Sequence, residues 1–132
     1  MAVQYSVTVN NARLDAIETA AGASAKLRMY TGAMPANCAA AATGTLLADI
    51  ALPSDWMAVA SAGVKAKSGV WSGLGAAVGV AGYFRITDTA GTTVHIQGTC
   101  GIGTGDMQLD NTSIAVGQSV TVNSFTITAA NT

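Results

Sequence analysis

The chain holds few residues able to do chemistry: one His, two Cys, and a single Glu, Glu18, among seven acidic residues. His95 stands between Val94 and Ile96, with no Cys, Asp or Glu within four positions. Metal centres and nucleophilic triads need several such groups brought together, so His95 reads as an ordinary strand histidine. Gly101-Ile102-Gly103-Thr104-Gly105-Asp106 has the composition of a phosphate-cradling loop, but such loops lead from a strand into a helix N-terminus. Here Met107-Gln108-Leu109-Asp110 follows, alternating as a strand does, and no Lys comes after the glycines. Asp106 and Asp110 lack the dense Asp/Asn spacing of a calcium loop. Cys38 and Cys100 lie 62 positions apart outside any CxxC context, and are expected as free thiols in a reducing compartment. No catalytic residue, metal ligand set or cofactor is expected.

Two further groups have side chains suited to contacts. Trp56 and Trp71 sit beside small or polar neighbours and are expected as core anchors or, alternatively, at a subunit contact, where Trp is enriched. Lys26 with Arg28, and Lys65 with Lys67, occupy alternate positions, so each pair shares a strand face. A solvated face is the expectation for both, with charge contact to an acidic neighbour subunit as the sharper alternative.

The elements that must carry these residues are read from periodicity. Tyr5, Val7 and Val9 alternate with Ser6 and Thr8, which predicts an extended arm over residues 1–9 that could add to a neighbour's sheet edge. Leu14, Ile17 and Ala21 then follow helical spacing behind Asn10-Asn11, and Gly22 closes the pattern, predicting a helix over 11–21. Its narrow apolar stripe places it on the edge or end of a sheet. From Ala25 the period is two. Strands are predicted at Ala25–Tyr30, at Thr45–Leu52 with Leu46, Ala48, Ile50 and Leu52 on one face, at Trp56–Ala60, Val64–Ser68 and Val70–Ser72. Further strands are predicted at Tyr83–Asp88 and Thr92–Cys100 around an Asp88–Gly91 turn, at Met107–Leu109, Ser113–Ala115 and Ser119–Thr128. In the last strand Val120 and Val122 are out of phase with Phe125 and Ile127, which predicts a β-bulge at Asn123-Ser124. Met34–Gly44 is expected as a loop. The class expected is mainly β, a β-sandwich or jelly roll with one N-terminal α-helix, and one domain over 1–132.

Composition restricts the function classes. Charged residues are 10% of the chain, against about 25% in an average soluble domain. Ala, Thr and Gly fill 57 of the 132 positions. A net charge of −1 argues against a nucleic-acid binder. The uncharged run Ser68–Phe84 has 17 residues, five of them Gly, too short and too broken for a membrane span. Met1–Tyr5 carry no basic segment with an apolar one behind it, so no secretory signal is expected. So little charge fits a surface covered by neighbours or, alternatively, an ordinary Ala-rich protein from a GC-rich genome.

Three segments carry a resemblance. Asn11-Ala12-Arg13-Leu14-Asp15-Ala16-Ile17, Asp110-Asn111-Thr112-Ser113-Ile114-Ala115-Val116-Gly117-Gln118-Ser119-Val120-Thr121-Val122, and Ser124-Phe125-Thr126-Ile127 resemble small virion proteins of tailed bacteriophages, among them capsid cement (decoration) proteins. The resemblance implies a non-enzymatic homodimer or homotrimer on the capsid surface, made in the host cytoplasm. Its implied partners are the major capsid protein and other copies of itself, with no nucleic acid, membrane or cofactor. Tyr5, Val7, Val9, Trp56 and Trp71 are then the candidate partner-interface residues. Two alternatives stand beside it: a tail- or fibre-associated virion protein, and, from another class, a carbohydrate-binding module, which needs exposed aromatics.

Overall fold

A computed structural model describes residues 3–130. One helix, α1 (Val7–Ala21), precedes nine strands: β1 (Lys26–Thr31), β2 (Leu46–Ala51), β3 (Val64–Ala66), β4 (Ser72–Leu74), β5 (Gly79–Thr87), β6 (Val94–Gly101), β7 (Met107–Leu109), β8 (Ser113–Ile114) and β9 (Ser119–Thr128). The protein is mainly β with one N-terminal helix, as its periodicity requires.

The strands join in the order β2-β1-β5-β6-β7-β9-β3, with β4 also on β9 and β8 on β5. All pairs are antiparallel except β6 with β7. The sheet curls until its two flanks meet. Ala48 of β2 forms a bridge with Gly75, just past β4, and the Ala76 N–H donates to Leu47 O at 2.7 Å. This seam needs a glycine, because a Cβ on Gly75 would run into Ala115 O and the Ile114 side chain. The curled sheet thus encloses its apolar core as a barrel would.

Inside, aromatic rings form a chain. Trp56 lies 5.9 Å from Trp71, Trp71 5.8 Å from Phe125, and Phe125 5.4 Å from Phe84, edge to face. Both indole N–H groups are satisfied: Trp56 Nε1 donates to Gly22 O at 2.9 Å, and Trp71 Nε1 lies 3.1 Å from both Trp56 O and Ser68 O. Leu27, Met29, Leu47, Ile50, Ile86 and Met107 fill the remaining space. Trp56 and Trp71 have no exposed surface, so neither is an interface residue. Their large apolar area is worth more inside a core short of bulky side chains.

Two bulges set which side chains face inward. On β9, Gln108 pairs with Ser124 and Leu109 with Val122, leaving Asn123 as the extra residue. Val120, Val122 and Phe125 therefore all point inward. On β2, Met29 pairs with Ala48 and Tyr30 with Leu46, leaving Leu47 over. Leu47 turns into the core and Leu46 stays 37% exposed, so Leu46 leaves the face that Ala48, Ile50 and Leu52 share in burial. The Trp56–Ala60 segment is not a strand and makes only the Met57–Lys67 bridge.

The helix starts earlier than expected. Ser6 is its N-cap, with Oγ accepting from the Val9 N–H at 3.2 Å, and the Gly22 N–H closes it onto Glu18 O. Val7 and Val9 are helical, so there is no extended arm through them; residues 1 and 2 of that arm lie outside the described residues. The capping hydroxyl and the fully buried Asn10 outweigh the local β alternation. Asn10 Oδ1 accepts from Arg13 Nη1 at 2.9 Å, and the Arg13 guanidinium stacks over the Tyr5 ring at 4.7 Å.

The polar side of α1 holds the strandless segment 56–63. Asn11 Oδ1 accepts from the Gly63 N–H at 3.0 Å, Asp15 Oδ1 from the Ala60 N–H at 2.9 Å, and Glu18 Oε1 from the Met57 N–H at 3.4 Å. Positions 11, 15 and 18 fall on one helix face, so the helix serves that segment as a neighbouring strand would. Between Asp15 and Glu18 enters Lys65, 1% exposed. Its Nζ lies 2.7 Å from Asp15 Oδ1, 3.1 Å from Glu18 Oε2 and 2.9 Å from Ala58 O. Lys65 is therefore a buried tether and not part of a solvated face.

Candidate interaction surface

The residues with the chemistry for a reactive centre are occupied structurally. Asp106 Oδ2 accepts from the Thr99 N–H at 2.9 Å and its hydroxyl at 3.1 Å. Asp110 Oδ1 accepts from the Thr121 N–H at 3.0 Å. Asp88 caps the β5–β6 turn: the Thr92 hydroxyl and the Thr92 N–H, both at 2.8 Å, hold its carboxyl below the usual range. The glycine loop leads into β7, a strand. His95 is half-buried beside an open groove of about 540 Å³ whose walls include Ile17, Cys38, Phe84 and Phe125. Among the described residues no three His, Cys, Asp or Glu side chains are placed to hold a metal ion. Among the described residues no helix is long and apolar enough to cross a membrane.

Cys38 and Cys100 are free thiols. Burial pushes the Cys100 thiol up to about 11, while Cys38 is half-buried on the 32–45 loop. The thiolate is the reactive form. A water-soluble disulfide reagent is therefore expected to titrate one thiol in the native protein, Cys38, and the second only after denaturation; rapid reaction of both would contradict the burial of Cys100.

The surface divides by charge. Residues 29–48, 68–84 and 111–132 contain no Asp, Glu, Lys or Arg. The topology brings parts of these runs together at one end of the barrel, where β1 and β4 stop and β2, β5 and β9 begin, while the 32–45 loop and the far half of β9 run on from it. Val80 pairs with Ser113, Gly79 with Ile114 and Leu74 with Ser119. The Gly117 N–H donates to Gly75 O at 2.8 Å. Leu46, Leu74, Val78, Val80 and Val116 gather around these pairs, between 37% and 75% exposed. The helix, Lys26, Asp55, Lys65 and Asp88 belong to the opposite end, where Lys26 pairs with Thr87 and Val64 with Thr128.

Of the interface candidates, Tyr5, Val7 and Val9 remain 39%, 54% and 43% exposed, but they lie at the N-terminus of α1, away from the uncharged end. That end escaped sequence reasoning, although its three uncharged runs were the available signal. No known protein family, curated protein or solved structure matches the chain.

Proposed function

We propose that this protein is a non-enzymatic capsid cement protein of a tailed phage, bridging neighbouring capsomers of the major capsid protein and seated by its uncharged end. The observation that carries the reading is the separation of charge. Five aliphatic side chains stand exposed around a seam built from three uncharged stretches. Interface cores are depleted in charged residues, and contacts made there desolvate no ion. Many such contacts repeated on a lattice act together. The resemblance of 11–17, 110–122 and 124–127 to tailed-phage virion proteins points the same way.

The test is occupancy of purified capsids by the Leu74→Glu, Val80→Glu double variant. Both positions are exposed, so the fold and its melting temperature are expected to hold. A buried, unpaired carboxylate costs about 2–5 kcal/mol, so loss of capsid binding by at least about 100-fold is expected. Wild-type occupancy by the double variant would refute the seating. Recovery of only a handful of copies per particle would favour a tail or fibre role.

A further inference from the structure

The outer face of the barrel holds an uncompensated cation. Asp49 of β2, Arg28 of β1, Arg85 of β5 and Gln97 of β6 lie in register across four strands. This row sets two guanidinium groups against one carboxylate, and like charges directly opposite repel. Asp49 serves Arg28, with Oδ2 at 3.3 Å from Nε, and Arg28 Nη1 donates to Gly91 O at 3.1 Å. Arg85 has no such partner. It is 3% exposed, and among the described residues no carboxylate lies within 4.0 Å of it. Its Nη2 reaches Asn37 O at 3.3 Å, while its Nε and the neighbouring Gln97 Oε1 have no hydrogen-bond partner in the protein. Buried guanidinium groups are normally paired.

Arg85 lines a groove of about 520 Å³ between the 32–45 loop and the β5–β6 turn, together with Cys38, Ala39–Ala41, Thr92, Thr93 and Val94. We infer that this groove binds a small carboxylate, with its two oxygens facing the Arg85 guanidinium and its carbon chain lying against Ala39, Ala41 and Val94. A guanidinium fork matches a planar acid bidentately. The groove walls include no other charged side chain, so they fit a monoanion with an apolar body better than a phosphate or sulfate dianion. The site is independent of the uncharged end and of the cement reading.

The test titrates the whole protein with sodium acetate and sodium benzoate, against sodium chloride and sodium sulfate at equal ionic strength. It follows the melting temperature and the Arg85 Nε–H resonance. Saturable stabilisation by both carboxylates is expected, half-complete at about 1–10 mM, with benzoate binding tighter and the resonance moving in step. Arg85→Met should abolish the response. Ala41→Glu, which offers a carboxylate from the exposed loop, should raise the melting temperature and also abolish it. A carboxylate response no larger than that to chloride, or one retained in Arg85→Met, overturns the inference, and an equal response to sulfate overturns its assignment to a carboxylate. If Arg85→Met does not fold, an undiminished response in Ala41→Glu overturns it.

Discussion

Trp71→Ala is expected to lose about 3–5 kcal/mol of folding stability, lowering the melting temperature by about 10–20 °C for a chain of this size. Trp71 is fully buried and is the middle member of the aromatic chain, touching Trp56 on one side and Phe125 on the other. Its neighbours cannot close the gap, because Val122 and Phe125 are fixed by the register of β9 with β7, and the Val122 N–H donates to Trp71 O at 2.9 Å. The indole N–H also ties Trp56 O and Ser68 O together. Trp71→Phe separates these effects: it keeps most of the ring contact and drops that donor, for an expected loss of about 1–3 kcal/mol. Equilibrium denaturation of both variants checks the order. A loss below about 0.5 kcal/mol for Trp71→Ala, within the range of ordinary surface changes, would mean that the ring is not an anchor. Domains of this kind hold about 5–15 kcal/mol in all, so Trp71→Ala is expected to leave the protein marginal at body temperature.

Lys65→Met is the second large effect. The substitution keeps roughly the side-chain volume and removes the ammonium, leaving Asp15 and Glu18 facing each other and Ala58 O without its donor. Removing one partner of a fully buried pair costs about 3–5 kcal/mol. Because both carboxylates reach solvent, the expected loss here is smaller, about 2–3 kcal/mol. The pH dependence follows from the shifts. The hydrogen bond from Lys65 holds the Asp15 carboxyl below its ordinary 3.8. A lowered carboxyl contributes stability that is present above 3.8 and is lost as pH falls through the folded-state value. Burial alone would push the Lys65 ammonium down, but the hydrogen bonds to Asp15 and Glu18 outweigh it and hold it above 10.5. Its contribution is therefore full below 10.5 and lost as pH rises through the raised value. The gap between wild type and Lys65→Met should be widest between 3.8 and 10.5 and should narrow on either side. Asp88, also held low, keeps an acid limb in both proteins, so the difference between the two curves isolates the Lys65 network. A gap that stayed constant into strong acid would rule out Asp15 as its partner.

Much of the sheet was legible because strand period and turn chemistry are local. The bounds of β9 and its bulge followed from a visible slip of phase between Val122 and Phe125, and the β5–β6 hairpin from Asp88 and Gly91. The end of α1 at Gly22 was legible for the same reason, but its start was not. Residues 5–9 fit a strand alternation as well as a helix, and only the Ser6 cap and the burial of Asn10 decide between them. Lys65 was misjudged because its partners lie 47 and 50 positions away, and alternation with Lys67 says nothing about what covers that face. The helix did hold a clue: its two carboxylates, Asp15 and Glu18, have no Lys or Arg three or four positions beyond them. Arg85 was hidden in the run Tyr83–Thr87, which is buried on both faces because the 32–45 loop folds over the outside: the Tyr83 hydroxyl donates to Thr43 O at 2.6 Å, and Gln97 Nε2 donates to Pro35 O at 2.9 Å. Loop coverage of a sheet face leaves no periodic trace. The uncharged end is likewise assembled only by topology.

The place of β9 in the pairing order bears on biosynthesis. It is the last strand of the described chain to leave the ribosome, yet β3, β4 and β7 all pair with it. Until it emerges, the nascent polypeptide can pair β2-β1-β5-β6, with β7 on β6 and β8 on β5, but β3 and β4 stay unpaired and Trp56, Trp71 and Met107 lack their final cover. Chaperone occupancy on the newly made chain should therefore persist until Phe125 is free to pair, and then fall in a single step.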